Sequence, residues 1–76
     1  MQNVVHEYFK KTFDNLTIIV QLNPVNYTGI ELTIANGEVE KRKLEFDEDI
    51  YEDLKVDGFE QASALEFNLY LKGLTH

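Results

Sequence analysis

The stretch Ile30-Glu31-Leu32-Thr33-Ile34-Ala35-Asn36-Gly37-Glu38-Val39-Glu40-Lys41-Arg42-Lys43-Leu44-Glu45-Phe46 decides how this chain folds. Apolar and polar side chains alternate from Ile30 to Ile34, run into Asn36-Gly37 and are followed by a return segment, the pattern of a β-hairpin. Asn-Gly supplies the left-handed backbone that tight hairpin turns need. Two registers are open. A two-residue turn sets Glu31 opposite Arg42, whereas a three-residue loop with Gly37 as a bulge sets it opposite Lys41. Either gives an opposite-charge pair. The bulged register also aligns Leu44 and Phe46 with Ile30, Leu32 and Ile34 on one face, and the pattern favours it on that ground. Between Glu38 and Lys43 the only apolar residue is Val39, which suits an edge strand guarded against aggregation.

Upstream, Leu16 to Leu22 alternates with branched side chains and reads as a strand. Asn23-Pro24 ends it, because proline has no ladder donor and disfavours helix at the residue before it; Asn23 to Gly29 is then a connecting loop. Nearer the N-terminus, Val5, Phe9 and Phe13 recur at intervals of four, with Val4 and Tyr8 beside them, which makes one helical stripe over Asn3 to Asp14. Glu7 and Lys11 would add an i,i+4 pair, Asn3 a cap and Asn15 a left-handed end.

Downstream, Asp47 reads as an N-cap and Ile50, Tyr51 and Leu54 as the buried stripe of a short helix over about 48–56. Asp57-Gly58-Phe59 would close it in the Schellman manner, with Phe59 folding back toward Leu54. The last segment supports two readings. Leu65, Phe67, Leu69 and Leu71 alternate as in a strand, yet Ser63-Ala64-Leu65-Glu66 fits a capping box, and Lys72 with Gly73-Leu74 fits a helix end. Three end signals against one period favour helix; as a strand the segment would join the same sheet. The expected fold class is therefore α+β over a single domain, residues 1–76. Its order is an N-terminal helix, a three-stranded antiparallel β-meander, then two short C-terminal helices, with the last segment a fourth strand in the alternative.

A chain of 76 residues has room for one thin core, since domains of this size bury only roughly 60% of the surface of the unfolded chain. The hydrophobic share of 43%, with five Phe and four Tyr, is that of a globular domain rather than a disordered tail. There is no cysteine, so neither disulfides nor thiolate metal sites can reinforce it. No apolar run approaches the roughly 20 residues that span a bilayer, and the basic-then-apolar pattern of a signal peptide is missing; the expected compartment is the cytoplasm, without membrane association.

The net charge of −7 lies in one place. Glu45, Asp47, Glu48, Asp49, Glu52, Asp53, Asp57 and Glu60 face Lys55 alone, while the rest of the chain is balanced. Nucleic-acid binders carry the opposite sign on their contact face, so no nucleic acid is expected as a partner.

Material for catalysis is scarce. Ser63 has a sufficient role as a cap, His6 on the presumed helix points to solvent or packs, and His76 is terminal. Glu48 with Glu52, and Asp49 with Asp53, could place oxygens on neighbouring turns. Calcium, however, wants six to eight converging ligands and a loop with a glycine at its sharp turn. Acids near a helix start are favoured by its dipole without any metal. The four glycines are scattered and form no phosphate loop.

By elimination the reading is a small non-enzymatic interaction or regulatory module with no cofactor, metal or catalytic residue. Its surface is the acidic helix with Glu48, Tyr51, Glu52 and Asp53, and its partner a protein with a basic surface. A sheet edge, Leu16 to Leu22 or Glu38 to Phe46, offers a second surface for a strand of another copy. The alternatives are a nucleic-acid mimic that occupies a basic groove, and a weak calcium-binding domain.

Overall fold

The computed structural model describes residues 5–72. Five strands, β1 (Glu7–Phe13), β2 (Leu16–Leu22), β3 (Thr28–Ala35), β4 (Glu38–Glu45) and β5 (Glu60–Ala62), form one antiparallel sheet in the order β4-β3-β2-β1-β5. Two helices, α1 (Ile50–Val56) and α2 (Ala64–Lys72), come late in the chain, on either side of β5.

The expected N-terminal helix and three-stranded meander are thus overturned. Residues 7–13 are a strand paired along its whole length with β2, from Glu7 opposite Leu22 to Phe13 opposite Leu16. The spacing that suggested a helix has a second solution: four is an even number, so residues four apart also fall on one face of a strand. With Glu7 and Lys11 on a strand, the i,i+4 ion pair is lost, and the Lys11 ammonium sits 5.3 Å from the centre of the Phe13 ring. The turn to β2 uses Asp14, not Asn15, as its left-handed residue, at φ 52°. The Asn3 cap and the Gly73-Leu74 helix end lie outside the described residues.

The hairpin takes the two-residue turn. Asn36 at φ 53° and Gly37 at φ 79° are both left-handed, Ala35 pairs with Glu38, and Glu31 stands opposite Arg42 with its carboxylate 3.6 Å from the guanidinium. The bulged register would set Leu44 and Phe46 on one face with Ile30, Leu32 and Ile34, but this sheet buries apolar side chains on both faces. Residues directly opposite one another share a face, and successive residues alternate. Ile19 and Leu32 therefore face one way, and pack with Phe67 of α2 in a cluster in which all three are fully buried. Leu22 faces the other way and packs with Ile50 and Leu54 of α1, together with Phe9, Tyr27, Phe46 and Phe59. Leu44 lies opposite Gly29 on that second face. A Cβ at Gly29 would fall 2.3 Å from the Gln21 carbonyl oxygen and 2.7 Å from Phe46 Cε2, so only glycine lets Phe46 lie across the strand.

The helix ends show their chemistry. Asp47 is not the N-cap of α1; its side-chain oxygen accepts the Asp49 N–H at 3.0 Å in a turn that precedes the helix. At the other end Gly58, at φ 86°, donates to Lys55, and Phe59 donates to the Leu54 carbonyl at 2.9 Å, a Schellman closure. Ser63 caps α2, its Oγ accepting the Glu66 N–H at 3.1 Å. Glu66 does not reach back to complete a capping box; its carboxylate receives Lys10 Nζ of β1 at 2.5 Å. That hydrogen bond, reinforced by the charge of Glu66, holds the Lys10 ammonium pKa above its ordinary value.

Candidate functional site

Two surfaces follow from this arrangement. The first is the outside of α1. Ile50 and Leu54 are buried against the sheet, which turns Glu52 and Asp53 outward, and Glu48 in the preceding turn is exposed as well. All eight acids of residues 45–60 are exposed, and none is in an ion pair among the described residues. Tyr51 stands differently. Its ring meets Phe9 edge-on at 6.2 Å, and its hydroxyl donates to the Glu7 carboxylate of β1. The bond to Glu7, with burial and the charge of Glu7 acting the same way, pushes the Tyr51 hydroxyl up to about 12. Tyr51 and Asp53, two residues apart, are about 200° apart around the helix, so the four residues read from sequence do not share one patch. What the fold adds to this side is Glu7, which the helical reading had paired with Lys11.

The second surface was not foreseen. α2 covers its face of the sheet over Ile19 and Leu32 but leaves one end open. There β2, β3 and β4 bring Gln21, Ile30 and Lys43 into one cross-strand row, and Thr28 stands opposite Glu45 in the next. His6 precedes β1 and Asn23 follows β2 at the same end, because Glu7 pairs with Leu22. The result is a cavity of about 540 Å³, open to solvent, lined by these residues. That volume is within the usual range for small-molecule pockets, roughly 300–1,000 Å³.

Local bonds leave this lining with defined free valences. Asn23 Oδ1 accepts the Val25 N–H at 2.9 Å, which reserves its NH2 group for another acceptor. Gln21 Nε2 donates to Tyr8 Oη at 3.1 Å, which leaves the Gln21 carbonyl as an acceptor. The Thr28 hydroxyl donates to Asn26 Oδ1 at 2.7 Å. Lys43 and Glu45 are exposed and form no ion pair among the described residues. His6 is half-buried beside them, just ahead of β1 rather than on a helix.

Sequence reasoning missed this second site because its members come from three strands and two loops and make no motif. One signal was present: Gln21 interrupts the apolar run of β2, at the strand position that shares a face with Ile19. Of the two edges proposed for strand addition, Leu16–Leu22 is closed, since β2 is flanked by β1 and β3. The β4 edge carries no further strand among the described residues. Among the described residues no group of three or more His, Asp or Glu side chains could hold a metal ion, and no helix is long and apolar enough to cross a membrane. No protein-family model matches the chain, and comparisons with curated proteins and with solved structures found no match.

Proposed function

We propose that this chain is a small, non-enzymatic, intracellular interaction module that offers the acidic outer side of α1 to a protein partner with a basic surface. One observation carries the reading: the eight acids between Glu45 and Glu60, two of them on α1 and the rest in the strands and turns that flank it, are all solvent-exposed, and none is in an ion pair among the described residues. Among the described residues only Asp47 of these carboxylates takes part in an internal bond, accepting the Asp49 N–H. Their concentration costs self-repulsion that a basic partner would relieve, and their field would raise the rate of encounter with such a partner.

The test is a triple charge reversal, Glu48→Lys with Glu52→Lys and Asp53→Lys. The variant should fold as the parent does, because all three side chains are exposed. It should also lose whatever basic protein the parent captures at low salt. Capture that is equal for both chains, or that does not weaken as salt shortens the Debye length from about 10 Å at 0.1 M to about 3 Å at 1 M, would refute the acidic face as the binding surface.

A further inference from the structure

The open end of the α2 side of the sheet supports a reading independent of the acidic helix. Lys43 and Glu45 lie on the same face of β4, two positions apart, which sets their Cβ atoms about 7 Å from each other along the strand. Both line the cavity, and neither is neutralised by an ion pair among the described residues. Ile30, directly opposite Lys43, gives the cavity an apolar floor, and the amides of Gln21 and Asn23 stand across it. A bare anion would meet Glu45, and a bare cation would meet Lys43. A ligand that carries both charges, close together and on an apolar stem, satisfies both and is repelled by neither.

We infer that this cavity binds a free α-amino acid with an apolar side chain. Its carboxylate lies on the Lys43 ammonium and its ammonium on the Glu45 carboxylate, the next side chain along the same face of β4, and its side chain lies over Ile30 toward β2.

The experiment is a titration of the isotope-labelled full chain with L-leucine, read by amide chemical shifts, beside N-acetyl-leucine and leucinamide, each of which lacks one of the two charges. Leucine should give saturable shifts at Gln21, Ile30, Lys43 and Glu45, and each single-charge analogue should bind at least about tenfold more weakly, since it leaves one charged wall unpaired. Lys43→Met and Glu45→Gln should each weaken leucine binding by about tenfold, with opposite effects on the analogues: the first spares leucinamide, the second spares N-acetyl-leucine. Absence of shifts at tens of millimolar leucine would overturn the inference, as would equal binding of all three compounds or shifts confined to residues 50–60. Should either variant fail to fold, the three-ligand series on the unaltered chain still decides.

Discussion

β1 and α2 are segments whose apolar spacing points each to the other's conformation. Val5, Phe9 and Phe13 recur in fours like a helical stripe, yet residues 7–13 are a strand; Leu65, Phe67, Leu69 and Leu71 alternate like a strand, yet residues 64–72 are a helix. What separates them is the satisfaction of backbone groups at their margins. β1 lies between β2 and β5, which take its amides and carbonyls on both sides for part of its length. α2 has a serine that caps its first turn and a strand of only three residues before it. The helical choice has a visible cost: Phe67 is fully buried, while Leu65 and Leu69 are left 70% and 64% exposed. As a helix, α2 can bury only part of its alternating row.

The contrast can be broken most severely at Phe67. Phe67→Ala removes the side chain that joins Ile19 and Leu32 and should cost about 3–5 kcal/mol, read as a lowered denaturation midpoint. Ser63→Ala removes the cap that the alternating pattern lacks any substitute for; a loss of about 1 kcal/mol is expected, with helical fraying of α2 visible in amide exchange. The tie between β1 and α1 is sharpened by pH. The Tyr51 hydroxyl, held at about 12 against an ordinary 10.0, lends stability that is fully present below pH 10 and lost as pH rises through 12. Melting temperatures of the parent and Tyr51→Phe should therefore converge over that window; parallel curves would remove Glu7 from the account. Smallest of all, Leu65→Ser with Leu69→Ser should change stability by no more than about 0.5 kcal/mol per site. A larger loss in dilute solution would show that the outer side of α2 is not free.

Local signals with one meaning were legible. Asn36-Gly37 turns a hairpin, Gly58 closes α1, and Leu16 to Leu22 is a strand, because left-handed residues and branched alternation admit few other structures. Signals with two meanings misled. The fours of Val5, Phe9 and Phe13 fit both periods, and the hairpin register was argued from a sheet with one buried face, whereas Leu44 and Phe46 serve the second. The acidic side of α1 was visible in composition alone, but the bond from Tyr51 to Glu7 was not, since it depends on β1 being a strand. The cavity was illegible for a related reason: Gln21, Ile30 and Lys43 become neighbours only through two registers, neither of which the local sequence of any one strand contains.

The placement of β5 has a consequence in time. The turns from β1 to β4 join strands that are neighbours in the chain, so three of the four pairings close over short loops. The fourth waits for Ala62 to return to Tyr8 across nearly the whole molecule. Such a contact forms against the largest loss of chain freedom, and it brings α2 with it. The hairpins should thus assemble early, and the docking of Phe67 should set the slow step of folding.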